Sequence, residues 1–300
     1  MPTNYNLTAI FSLIIAMFIW GSSFIGLKLA MADLGEFTVI FLRMLSASCC
    51  FLYFIKGFLK YDFTKSDIKY ILLLALFEPC LYFIFEAKAL LYTSASQAGM
   101  ITSLMPIITA MAAGYFLKEI VRKQLIFGSL IAMIGAIWLS LHATSSFNAP
   151  NPILGNFLEL CAMFCASGYT ITARYLVDKY SAIFITAIQA FIGTIFFFPF
   201  FIYEYFTKPM VFTVEAMSWV LYLGIVVTLG GYGLYNFALT KIKASKAAMF
   251  INFIPISTLI LAFLILGEEL SIEELIACSI ILSGVIISQI SFKRFRRKAI

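Results

Sequence analysis

The sequence predicts an all-α membrane protein: ten transmembrane helices built from two inverted-topology five-helix repeats. Three observations predict it. Ten apolar runs of at least 18 residues follow one another along the chain, lysine and arginine gather in every second connection, and a 25-residue block of the first half returns in register in the second.

The runs cover 7–30, 34–56, 67–92, 95–117, 122–142, 153–177, 181–205, 215–239, 244–267 and 271–292. Read as helices, each is long enough for a hydrocarbon core of roughly 30 Å, which takes about 20 residues. A helix satisfies its own backbone in lipid, whereas membrane barrels show alternating segments of about ten residues. Composition agrees: 62% of the residues are hydrophobic and 12% charged, with a mean hydropathy of +0.99. A soluble chain of this length has no interior large enough for that much apolar surface. The first run lacks a basic leader and a small-residue cleavage site, so it reads as a span and not a signal peptide. Cys49, Cys50, Cys80, Cys161, Cys165 and Cys278 all fall inside apolar runs without disulfide or metal-ligand spacing, which makes them packing residues.

The cations set a direction. Lys56, Lys60, Lys65 and Lys69 surround the second connection, and Lys118, Arg122 and Lys123 the fourth. Lys179 lies in the sixth, Lys241, Lys243 and Lys246 in the eighth, and Lys293, Arg294, Arg296, Arg297 and Lys298 in the tail. Sixteen of the 21 cations therefore fall on one side, which the positive-inside rule makes cytoplasmic together with both termini. The cell (inner or plasma) membrane is the expected location. The net charge of +6 is explained by topology and by lipid contact of the tail, so it implies membrane lipid and not nucleic acid as partner.

The repeat compares ASQAGMITSLMPIITAMAAGYFLKE (95–119) with ASKAAMFINFIPISTLILAFLILGE (244–268), identical at 10 of 25 positions at an offset of 149. Pro106 faces Pro255, Glu119 faces Glu268, and further on Gly135 faces Gly284; near the start, Ala16-Met17-Phe18 faces Ala162-Met163-Phe164 at an offset of 146. The connection 143–152, with two prolines, divides the chain into a first repeat at 7–142 and a second at 153–292, followed by a basic cytoplasmic tail at 293–300. Five spans per half make the second half enter from the opposite side. That is the architecture of secondary transporters, with the site between the halves.

These residues resemble the EamA-type transporters of the drug/metabolite transporter superfamily. The resemblance rests on Trp20-Gly21-Ser22-Ser23-Phe24 in span 1, Phe41-Leu42-Arg43 in span 2, Tyr235-Asn236-Phe237-Ala238-Leu239 ending span 8, the two Ala-Ser…Pro…Glu blocks, and the glycines of spans 5 and 10. It covers nearly the whole chain and implies ten helices as two five-helix repeats that carry small metabolites, amino acids or drug-like solutes. Span 6 departs from it, with Ala166-Ser167-Gly168-Tyr169 where a second tryptophan motif would stand. An asymmetric site is expected.

Within the spans, Glu78 and Glu86 are the prime candidates for substrate binding or coupling. An ionisable group at mid-membrane costs about 2.5–3.5 kcal/mol on insertion scales, so it should face a cavity or a partner such as Arg43, Lys28 or Lys88. Eight residues at 100° place the two carboxylates about 80° apart, toward one cavity. Trp20, Ser22, Tyr82, Gln97, Tyr169, Tyr235, Asn236 and Asn252 add polar and aromatic groups to otherwise apolar helices. Pro79, Pro106, Pro199 and Pro255 are expected to bend spans 3, 4, 7 and 9; the repeat register makes Pro106 and Pro255 hinge candidates. Glu268, Glu269, Glu273 and Glu274 read as a solvated outer turn.

The functional expectation is a secondary transporter, most simply an exporter of a small solute by alternating access, with possible proton coupling, acting as monomer or homodimer. An importer or an uncoupled facilitator of the same fold is the alternative, and a lipid scramblase or intramembrane enzyme a remote one. No nucleotide-binding signature, metal site or cofactor motif is found, and the single histidine, His142, is part of no HExxH. The chain is not expected to be an enzyme.

Overall fold

The computed structural model describes residues 7–120 and 123–289, and these form ten helical rods. They are α1 (Leu7–Asp33), α2 (Glu36–Phe58), α3 (Lys65–Tyr92), α4 (Ala95–Phe116), α5 (Lys123–His142), α6 (Pro152–Leu176), α7 (Ala182–Thr207), α8 (Val214–Leu239), α9 (Ala244–Leu266) and α10 (Ile272–Gln289). Eight are long and apolar enough to cross a membrane. Of the other two, α6 is diluted by Asn156, Glu159 and Arg174, and α10 runs to the end of the described residues. Arg122, the end of the tenth run and the whole basic tail lie outside the described residues.

Contacts between connections define two ends. Asp33 Oδ2 accepts from Thr213 Oγ1 at 2.5 Å, and Lys28 Nζ reaches the carbonyls of Thr93 and Asn148, both at 3.0 Å. These join the odd-numbered connections at the cation-poor end. At the other end Lys179 pairs with Asp67, and its hydrogen bond to that carboxylate raises the pKa of the Lys179 ammonium. Each rod thus runs from one end to the other.

The packing is unchanged when every helix is exchanged for the one five places along. α1 lies on α8 and α9, as α6 lies on α3 and α4; α2 pairs with α7, α4 with α9, and α5 with α10. Local irregularities repeat as well. The third helix of each half contains a π-helical stretch, Leu76–Leu81 in α3 and Tyr222–Tyr232 in α8. The fourth narrows to a 3₁₀ turn, Thr102–Leu104 in α4 and Met249–Asn252 in α9. Pro106 and Pro255 follow those turns; a proline cannot donate the i→i−4 hydrogen bond, so the preceding turn tightens instead of continuing as α-helix. Pro199 does not act this way, because α7 continues through it as one helix.

Glu119 and Glu268, matched by sequence at the block ends, exchange roles across the halves. Glu268 accepts from Ala95 N (3.0 Å), Ser96 N (2.9 Å) and Ser96 Oγ (2.6 Å), capping α4. Glu119 accepts from Ala244 N and Ser245 N, both at 3.2 Å, and from Ser245 Oγ, capping α9. A carboxylate is suited to this place, since it satisfies unpaired N–H groups at the positive end of the helix dipole. Two members of the acidic turn are therefore structural and not merely solvated: Glu268 caps α4, and Glu274 accepts from Gln97 Nε2 at 2.8 Å. Glu119→Ala and Glu268→Ala are each expected to cost about 1–2 kcal/mol. Glu268→Ala should be the worse, because Lys28, 3.7 Å from that carboxylate, loses its counter-charge too and keeps only the two carbonyls. Thermal unfolding of the purified protein in detergent measures both.

Candidate functional site

A cavity lies between the halves, lined by α1 (Trp20, Ser23, Phe24), α2 (Arg43), α3 (Glu78, Tyr82, Glu86), α4 (Thr102, Met105), α6 (Met163, Ala166, Tyr169, Thr170), α8 (Tyr232) and α9 (Ile251, Ile254). The broken helices are the ones that build it. Glu78 sits inside the π stretch of α3 with φ −151° and ψ 119°, outside the helical region. Its backbone carbonyl, freed by the break, accepts from Gln189 Nε2 of α7 at 3.3 Å. Arg43 makes the matching contact on the other half: its Nε donates to Thr228 Oγ1, in the π stretch of α8, at 2.9 Å. Gln189 and Arg43 are also partners at the sequence offset of 146, so the repeat is kept in geometry while its chemistry diverges.

The lining falls into two layers. Near mid-height, Trp20 packs on Tyr232 and Tyr235, with ring centroids 4.9 Å apart in both cases, and Tyr169 stands edge-on to Tyr232 at 5.9 Å. Tyr232 OH donates to Glu78 Oε1. A Cβ on Gly231 would come within 2.8 Å of Trp20 Nε1, so glycine there is what lets the indole lie against α8. Gly21 serves the other face of α1, where a Cβ would meet Ser257 and lie 3.2 Å from the Ile254 carbonyl. Closer to the cation-poor end, Tyr82 OH donates to Glu86 Oε1 at 2.8 Å, and the Arg43 guanidinium lies 4.3 Å from the Phe83 ring centroid.

Several buried polar atoms in this region have no hydrogen-bond partner: Trp20 Nε1, Glu86 Oε2, Asn252 Oδ1 and both carboxylate oxygens of Glu159. Unpaired buried polar atoms are rare in folded proteins and each costs about 1–3 kcal/mol. Two of these atoms, Trp20 Nε1 and Glu86 Oε2, belong to residues that line the cavity, which distinguishes it from apolar core. The cavity volume is ≈ 30 Å³, room for about two water molecules.

Of the sequence candidates, Trp20, Arg43, Glu78, Tyr82, Glu86 and Tyr169 line this cavity. Tyr235 and Asn236 stand behind it: Tyr235 supports Trp20 and bonds Thr170 Oγ1 at 3.1 Å, while Asn236 Oδ1 accepts from Tyr169 OH at 2.7 Å. Asn252 is flanked by the lining residues Ile251 and Ile254 but does not itself line the cavity. Ser22 is turned away and bonds Tyr222 OH at 2.5 Å; its neighbour Ser23, 100° further round α1, faces the cavity instead. Gln97 lies in a separate network at the cation-poor end, accepting from Thr93 Oγ1 and Asn156 Nδ2, both at 3.1 Å. The lysines considered as glutamate partners are occupied elsewhere, Lys88 with Glu36 at 2.5 Å and Lys28 with Glu268. Glu159 was missed, although it is an ionisable residue within an apolar run, the same signal that picks out Glu78 and Glu86.

The model of the EamA-like transporter family matches residues 7–141 and 153–289. The uncharacterized transporter YetK of Bacillus subtilis is 29% identical over 292 residues, spanning 94% of this chain and 87% of that protein. An uncharacterized transporter of Archaeoglobus fulgidus is 28% identical over 276 residues, spanning 91% of this chain and 94% of that protein. A solved crystal structure superposes with a TM-score of 0.68 over 99% of this chain and all of that one, at 16% identity, a likeness of fold alone.

Proposed function

This chain belongs to the EamA-like transporter family, and from that premise we propose that it is a secondary transporter moving a small solute by alternating access. The two halves are inverted five-helix repeats crossing the cell membrane ten times, with the cation-rich end cytoplasmic. The site is the cavity between them. The observation that carries this reading is the cavity's composition: seven helices from both halves converge on it, the breaks in α3, α4, α8 and α9 lie beside it, and two of its lining residues, Trp20 and Glu86, carry polar atoms without a hydrogen-bond partner. In such folds, irregular backbone at membrane depth is tolerated where it lines a cavity.

The charge balance suggests the solute. Glu78 and Glu86 line the cavity with a single cation, Arg43, and no carboxylate there has a salt-bridge partner within 4 Å among the described residues. Trp20, Tyr82, Tyr169 and Tyr232 supply ring faces to an ammonium group. A cationic or zwitterionic solute fits, bound at Glu78 by its charge and against Trp20 by its apolar part. Because ≈ 30 Å³ admits no metabolite, binding requires the cavity to widen, with Pro106 and Pro255 at the flexible points. Export is the proposed direction.

A thermal-stabilisation screen of amines, amino acids and acids on the purified full chain tests the reading, followed by flux into proteoliposomes for each hit. Cationic or zwitterionic hits that are transported, and that Glu78→Gln weakens, are expected. Stabilisation by lipids alone, with no solute flux, would overturn it.

A further inference from the structure

Glu159 is a buried carboxylate that does not line the solute cavity. It projects from α6 one turn beyond the cavity residue Met163, toward the cation-poor end. At 1.5 Å per residue, Glu159, Glu86 and Arg43 all lie about 9–11 Å from that end, whereas Trp20 and Glu78 lie about 20 Å from it. Glu159 is 0% exposed and Glu86 2%. The two carboxylates interact electrostatically, and three of their four oxygens accept no hydrogen bond.

The surroundings offer little compensation. Arg43 from α2 and Tyr82 from α3 act on Glu86, Tyr82 is also within the field of Glu159, and beyond them stand Glu78 and Tyr232 of α8. No titratable side chain of α4, α5 or α9 lies at this depth; His142 is at the exposed end of α5, its Nδ1 3.0 Å from the Trp138 carbonyl. With both groups ionised, two dehydrated like charges would stand together with Arg43 acting on Glu86 alone, and three acceptor atoms would be bare. A single proton on either group removes one of the two like charges. No group of three or more His, Cys, Asp or Glu side chains among the described residues could hold a metal ion.

We infer that Glu86 and Glu159 hold one exchangeable proton between them and that this pair, one layer away from the solute site at Glu78, couples solute movement to proton movement. Protonation transfers H⁺ from hydronium to one carboxylate, leaving water and a neutral acid beside its ionised partner; deprotonation reverses this toward whichever side is open. The coupling role rests on the transporter reading, while the shared proton does not.

Infrared difference spectra of the reconstituted full chain between acidic and alkaline buffer test the proton directly. Wild type is expected to show a carboxylic-acid carbonyl band that disappears at alkaline pH and shifts in heavy water. Both Glu159→Gln and Glu86→Gln should delete it, and either suffices if the other misfolds by size-exclusion chromatography. Persistence of the band in both variants, or its absence from wild type, would overturn the pair. For a solute hit, Glu159→Gln should lose the response of flux to an imposed pH gradient while retaining gradient-free exchange; an unchanged response would overturn the coupling. A titrating band in a protein that carries no solute would instead remove the transporter reading and leave the shared proton standing.

Discussion

Gly284→Leu is expected to prevent α5 and α10 from packing and to leave little monodisperse protein. A Cβ at Gly284 would lie 2.6 Å from Ala132 N and closer still to the Gly128 carbonyl oxygen. Both obstacles are backbone atoms, so no rotamer change relieves the clash. The reciprocal contact is as tight, with a Cβ on Gly135 within 3.0 Å of the Ala277 carbonyl. Overpacking normally costs about 1–3 kcal/mol, and a backbone obstacle on a helix pair held by close approach in lipid should exceed that range. Gly233→Leu is the control, because a Cβ there meets nothing within 4 Å and leucine replaces a poor helix former. Size-exclusion profiles and thermal midpoints of the two variants should diverge sharply; similar behaviour would refute the packing argument.

Arg43→Ala should be the most damaging change at the cavity. Arg43 is 2% exposed and is the cation interacting with Glu78 and Glu86. Removing one partner of a buried charge group costs about 3–5 kcal/mol, because the remaining charge is left uncompensated. The loss has a predicted pH dependence. Acid neutralises carboxylates, so the deficit relative to wild type should be largest in alkaline buffer and shrink as pH falls. Arg43→Lys should recover part of the stability but not the reach of Nε to Thr228. Thermal midpoints across a pH series decide the matter, and a deficit independent of pH would mean that Arg43 acts by packing alone.

Much of this organisation was legible in the sequence, because lipid imposes length and polarity on each run and repeats survive where geometry is fixed. Pro106 with Pro255 located the breaks in α4 and α9, and Glu119 with Glu268 located two caps whose function no one-dimensional pattern could reveal, since each acts on the other half. Trp20, Arg43, Glu78 and Glu86 were recognisable because a polar group in lipid needs a reason to be there. What failed was azimuth. Ser22 and Ser23 differ by 100° on one helix, and only packing against Tyr222 decides which faces inward. Gln97 is polar for the sake of Thr93, Asn156 and Glu274, partners more than 170 residues away in the last case. Glu159 was hidden by its setting, a stretch already interrupted by Asn156, and its repeat position is the apolar Leu13.

The reciprocal capping has a consequence for synthesis. The start of α4 is completed by a carboxylate 172 residues downstream, so a nascent chain emerging from the translocation machinery carries an unfinished first half until nearly all the second has been inserted. Neither half can reach its native end-state as a separate fragment. Assembly must therefore be late and concerted, and a ribosome stalled before residue 268 would present the quality-control proteases with an open substrate.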